Sequence, residues 1–175
     1  DIIAPSDCIP GAAPAHTRLD AGTLPAGYYR LTIDLKEEVV NEGQLTVRGD
    51  RYLVEMETTN GFTLPYKELL RIPENTLWGY VVYESEADAA LATEFQEALA
   101  AIADPDDFAQ GHYGHFQVAG EQVVVREAPN SSRLRQFAYG YAGDHEVLTR
   151  LIEQYREAHG EQLQIHLFND DGEVF

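Results

Sequence analysis

The sequence predicts an α+β fold: a single antiparallel-rich sheet of about seven to eight strands with two helices on one face. Three observations carry that reading. One segment, Leu77 to Tyr83, is apolar or aromatic at nearly every position. Two stretches with helical spacing of their apolar residues each follow an aromatic strand, and period-two segments broken by glycine turns recur between them.

Residues 1–27 carry Pro5, Pro10, Pro14 and Pro25 among alanines and small polar residues, which disfavours helix and predicts an extended arm ahead of a single domain over 28–175. Cys8 is the one cysteine, so an intrachain disulfide and a four-cysteine metal site are excluded, and nothing beside it activates the thiol. Tyr29, Leu31, Ile33 and Leu35 then alternate with Arg30, Thr32 and Asp34, the signature of a strand with one wet face. Leu45 and Val47, a turn at Gly49-Asp50, and Tyr52, Val54 and Met56 read as a hairpin. Arg48-Gly49-Asp50 spells the tripeptide of cell-adhesion ligands, but the tight turn by itself accounts for these residues.

From Asn60 to Asn75 runs a long connection in which Pro65 and Pro73 bracket a short apolar piece. One helical turn plugging the end of the sheet is expected there, with a lid or partner-binding loop as the alternative. Leu77 to Tyr83 has the composition of a central strand covered on both faces. Ser85 and Asp88 form a capping pair for a helix whose stripe is Leu91, Phe95, Ala98, Leu99 and Ile102, stopped by Asp104-Pro105. His115 to Val118 and Val123 to Val125 read as a second hairpin turning at Gly120-Glu121. Asn130-Ser131-Ser132 marks a loop and matches the N-glycosylation acceptor pattern. Phe137, Tyr139 and Tyr141 follow as a strand. Asp144 caps a second helix with Val147, Leu148, Leu151, Ile152 and Tyr155 on one face and Gly160 at its end, and Leu163, Ile165 and Leu167 form the last clear strand.

The two hairpins align without gaps, Gly43 to Glu55 on Gly114 to Arg126, sharing Gly43/Gly114, Val47/Val118, Gly49/Gly120 and Val54/Val125. Pseudo-repeats over 43–103 and 114–159 are therefore expected, two strand-strand-strand-helix units pairing into one sheet with a concave face or cleft between them. From Leu77 to residue 168 the order strand, helix, hairpin, strand, helix, strand resembles the doubled strand-helix-strand-strand modules of gyrase-inhibitor-like ligand-binding domains. The chain departs from them at its C-terminus, where the last strand shrinks to Glu173-Val174-Phe175. The resemblance lies in element order and implies a ligand-binding domain.

Thirty acidic residues against twelve lysines and arginines give a net charge of −18. That balance argues against nucleic-acid phosphate or an anionic membrane as partner and for a basic protein. No apolar run approaches the roughly 20 residues that span a bilayer. The chain begins at Asp1 without a methionine, read as processing or trimming, which leaves secreted, periplasmic and cytoplasmic locations open. None of Ser6, Ser85, Ser131 and Ser132 lies in a nucleophile elbow, and neither Lys36 nor Lys67 lies in a phosphate-binding glycine loop. No catalytic residue and no cofactor are assigned on this pattern.

Three groups of side chains carry possible chemistry. Asp104, Asp106, Asp107, His112 and His115 crowd carboxylates and imidazoles suited to a divalent cation, although the three-residue spacing of the histidines near a strand points them to opposite faces. Arg126, Arg133 and Arg135 flank the 127–132 loop and suit an anion or the chain's own acids. Tyr80, Tyr83, Tyr113, Tyr139 and Tyr141 suit a ligand cleft, a protein interface, or core packing with hydroxyls at the rim. The function expected first is a non-enzymatic acidic protein-binding module, of the inhibitor or immunity-protein kind, recognising a basic partner. A small-molecule-binding domain with a tyrosine-lined cleft between the pseudo-repeats comes second, and a metal-dependent hydrolase third.

Overall fold

The strand with apolar side chains on both faces is the centre of the molecule. A computed structural model describes residues 24–35, 39–104 and 108–175, so most of the expected arm, Cys8, and the candidate ligands Asp106 and Asp107 lie outside the described residues. In chain order the elements are β1 (Gly27–Leu35), β2 (Val39–Arg48), β3 (Arg51–Met56), β4 (Glu68–Leu70), β5 (Thr76–Tyr83), α1 (Ala89–Ala100), β6 (Gly111–His112), β7 (Phe116–Ala119), β8 (Gln122–Val125), β9 (Leu134–Gly140), α2 (His145–His159) and β10 (Leu163–Asn169). β5 pairs antiparallel with β10 along one edge and with β9 along the other, and every residue of it but Val82 is buried.

Alternation along β5 sends successive side chains into two different cores. Leu77, Val81 and Tyr83 join Phe137, Leu163, Ile165 and Leu167 under Phe95 and Leu99 of α1 and Leu148 and Ile152 of α2. Both helices therefore lie on one face of this three-stranded sheet. Trp78 and Tyr80 point the other way and join Ala138, Phe116, Val118, Val125, Tyr113 and Leu70.

The expectation of one sheet of seven or eight strands is corrected: the strands form three small antiparallel sheets, β1-β2-β3-β4, β10-β5-β9 and β6-β7-β8. The physical reason lies in Trp78, Tyr80 and Ala138. In one continuous sheet with helices on a single face, those side chains would meet water. The hairpin β7–β8 instead folds over them and contributes Phe116, Val118 and Val125 to the cover. Burying aromatic and aliphatic side chains of this size stabilises by roughly 1.5–3 kcal/mol each, more than the ladder bonds that the hairpin would gain by extending the sheet. The face opposite the helices is thus a second core. Of the two expected repeat units, β5 with α1 and β9 with α2 share the middle sheet, whereas the hairpins β2–β3 and β7–β8 stand in separate ones.

Two local expectations also change. The 60–75 connection holds no helical turn but the short strand β4, which completes the outer edge of β3 through the pairs Arg51↔Leu70, Tyr52↔Leu69 and Leu53↔Glu68. Pro65 and Pro73 favour extended backbone, and the unpaired β3 edge supplies partners for it. The α1 stripe ends earlier than its spacing predicts: Ala92, Phe95 and Leu99 are buried, while Ile102 lies past the helix end and is 38% exposed. The Asp144 cap forms as read, its carboxylate accepting from the Glu146 amide at 2.8 Å; the Ser85–Asp88 pair instead closes a 3-10 turn, Glu86–Asp88, ahead of α1, with the Asp88 carboxylate accepting from the Ser85 amide at 3.1 Å. Among the described residues no helix is long and apolar enough to cross a membrane.

Burial of tyrosine has a consequence in alkaline solution. Desolvation raises Tyr80, Tyr113, Tyr141 and Tyr155 above their ordinary 10.0, with Glu127 adding to the shift at Tyr80 and Asp144 at Tyr141. Above pH 10.0 the unfolded chain loses these protons first, so the folded form binds more protons and its stability falls as pH rises from there through the raised values. The urea midpoint is expected to fall from about pH 10 upward, and to fall less in a Tyr80→Phe/Tyr113→Phe variant. Identical pH slopes in the two proteins would show that the buried phenols do not carry the effect.

Candidate functional site

The first sheet presents a polar face on which alternation and register settle every neighbour. Along β1 the exposed phase is Tyr28, Arg30, Thr32 and Asp34. Antiparallel pairing sets Tyr28 against Thr46, Arg30 against Gln44 and Thr32 against Glu42, and β3 carries the rows on with Leu53 opposite Thr46 and Glu55 opposite Gln44. One step further the Glu57 amide donates to the Glu42 carbonyl at 2.8 Å, which places the Glu42 and Glu57 side chains opposite each other. Three carboxylates thus sit on two neighbouring strands. Arg30 pairs with Glu42. Glu55 and Glu57 have no cation partner among the described residues.

These acids open into a groove of about 510 Å³ lined by Tyr28, Tyr29, Arg30, Glu42, Gln44, Glu55, Met56 and Glu57. Tyr28 is 68% exposed and its hydroxyl accepts from Arg48 at 3.3 Å, which stands the ring over the strand end. Below the face, Asn41 is fully buried and binds Asn60 twice, donating to its carbonyl at 3.0 Å and accepting from its amide at 2.7 Å. That pair ties the base of the hairpin to the connection after Glu57. The groove can hold a cation, with carboxylates for its charge and an aromatic face beside them.

The residues singled out from the sequence fall elsewhere. Tyr80 and Tyr113 belong to the core under β7 and β8, while Tyr83 lies in the core under the helices with Tyr139 and Tyr141 against it, so the middle sheet divides the five. Four of their hydroxyls bond within the chain: Tyr83 to Ser132 O at 3.5 Å, Tyr113 to Ala109 O at 3.0 Å, Tyr141 to Asp144 O at 2.6 Å, and Tyr139 as acceptor from Gln96 at 3.2 Å. Arg133 donates to the Glu84 carbonyl, Arg135 is exposed on β9 opposite Val81, and Arg126 stands apart on the β8 side next to Tyr66 and His112. None of the three forms an ion pair among the described residues.

The described members of the aspartate and histidine group, Asp104, His112 and His115, do not converge either. Asp104 makes an isolated antiparallel bridge with Gly140, and His112 packs on Tyr66 with ring centroids 3.8 Å apart. His115 bonds Glu127 at 3.0 Å while stacking on Trp78 at 5.4 Å. Among the described residues no three of histidine, cysteine, aspartate and glutamate gather into a set that could hold a metal ion. On the same side of the sheet His166 stacks on Tyr80 at 4.6 Å, and burial, helped by Arg156, holds its imidazole below the ordinary value.

Sequence reasoning missed Tyr28 and Tyr66. Tyr28 left a signal, since it is an aromatic residue on the polar phase of β1, where alternation calls for a hydrophilic side chain. Comparison with protein-family models, curated proteins and solved structures finds no match for this chain.

Proposed function

We propose that the protein is a non-enzymatic binding module whose first sheet receives a cationic segment of a basic partner protein. The observation that carries the reading is the row of Glu42, Glu55 and Glu57 beside exposed Tyr28, of which only Glu42 is ion-paired, to Arg30, among the described residues. Like charges directly opposite on neighbouring strands are destabilising in isolation, and a lysine or arginine from a partner relieves that repulsion. Tyr28 adds a ring face of the kind that attracts a guanidinium or ammonium group. The overall charge of −18 steers such a partner from a distance, so association is fast at low salt and slows as salt screens the field.

The test is capture from the native source on immobilised protein at low salt, run in parallel with a Glu55→Gln/Glu57→Gln variant. A basic protein retained by the native chain, released by rising salt and lost from the variant is the expected result. Its association rate is expected to fall about tenfold or more between low and high salt. Equal retention by both proteins, or a rate indifferent to salt, overturns the proposal.

A further inference from the structure

We infer a second site, for a small flat monocarboxylate, where the 60–67 connection lies against the third sheet. It is independent of the acidic groove, with which it shares no residue. A cavity of about 320 Å³ is lined by Pro65, Tyr66, His112, Gly114, Phe116, Gln117, Val124 and Arg126. That volume is at the lower end of what small-ligand sites enclose.

The lining is divided by chemistry. Tyr66 and His112 pack ring on ring at 3.8 Å and form one aromatic wall, with Tyr66 still 46% exposed. Phe116 lies beneath with its ring turned into the core, 3% exposed and 5.7 Å from Trp78, and Val124, 46% exposed, supplies the open aliphatic surface. Gly114 has φ +85° and nothing within 4 Å of where a Cβ would stand, so the rim is open there. Leaving the Tyr66 ring and Val124 in water is unfavourable, and a flat apolar ligand would cover them.

Arg126 sets the polar requirement. Its side chain has neither an acid partner nor a hydrogen bond among the described residues, although the chain carries thirty acids. The acid next to it in sequence, Glu127, is engaged by His115 at 3.0 Å. Gln117, on the same cavity wall, likewise has no side-chain hydrogen bond among the described residues. A free guanidinium fork with an amide beside it matches a carboxylate in shape and charge, and the aromatic wall matches a planar body attached to it. Net charge of −18 opposes multiply charged anions, which narrows the class to aromatic monocarboxylates.

The test is titration calorimetry with indole-3-carboxylate and its uncharged analogue indole-3-carboxamide, on the native protein and on Arg126→Gln and Tyr66→Ala variants. Native protein is expected to bind the acid about tenfold more tightly than the amide, because a charge-assisted pair replaces a neutral bond. Arg126→Gln is expected to erase that preference while retaining the weaker amide binding, and Tyr66→Ala to weaken both ligands. Arg126 and Tyr66 are exposed side chains, so both variants fold. Saturable binding of neither ligand, equal affinity of native protein for both, or a preference that survives Arg126→Gln overturns the assignment.

Discussion

Phe95→Ala is expected to remove about 3–5 kcal/mol of stability, the largest loss of any single side chain under the helices. Phe95 has no exposed surface and stands where three elements meet. Its ring is edge-on to Tyr155 of α2 at 5.1 Å and tilted against Phe137 of β9 at 6.3 Å. Truncation removes the transfer energy of the ring and leaves a cavity. Leu99, Leu148 and Ile152 are almost wholly buried around that core and already occupied by their own contacts, so the space does not simply collapse. The edge-on geometry with Tyr155 adds roughly 0.5–1.5 kcal/mol beyond area alone. Urea denaturation is the measurement: the midpoint should fall with the slope unchanged, and Phe95→Leu should fall by much less. A loss below about 1 kcal/mol for the alanine variant would mean that α1 and α2 do not share one core over this sheet.

What the sequence shows of this architecture follows from how far each signal reaches. β5 is legible because its composition leaves no wet phase between Leu77 and Tyr83, and a strand of that kind must have cover on both sides. The helices are legible from spacing and from the acids that cap them. Assignment of strands to sheets is not, because alternation tells that β7 and β8 have an apolar face and says nothing about which surface that face meets. Val123, Val124 and Val125 read as one apolar run, yet Val125 is buried while Val124 is 46% exposed. β4 escapes periodicity altogether, since three residues are too few to display a period. The acidic groove is half legible: the polar phase of β1 can be read along the chain, but the opposition of Glu42 and Glu57 depends on hairpin register. The Tyr66–His112 wall joins the 60–67 connection to β6, far apart in the chain, and leaves no local signal.

Gly79→Ala is expected to cost about 3 kcal/mol, at the upper end for overpacking, because the obstruction is main chain. Gly79 lies mid-strand in β5, opposite Leu167 of β10 and Phe137 of β9. A Cβ there would come within 2.2 Å of the His166 carbonyl oxygen and 3.0 Å of the Leu167 Cα. A flexible side chain could turn aside, but these atoms belong to the ladder itself. Relief requires β10 to move away from β5 along a seven-residue pairing that runs from Leu163↔Tyr83 to Asn169↔Leu77. That pairing also holds Leu163, Ile165 and Leu167 in the helix-side core, so separation exposes apolar surface as well as breaking bonds. Gly49→Ala supplies the contrast. Gly49 turns the β2–β3 hairpin with φ +55° and has no atom within 4 Å of a Cβ, so alanine there suffers only backbone strain of roughly 1–2 kcal/mol. Urea melts of both variants, with amide exchange followed along β10, separate the two mechanisms. Faster exchange confined to β10 and β5 is expected for Gly79→Ala, and a native-like midpoint for that variant would show that β10 does not pair with β5 in this register.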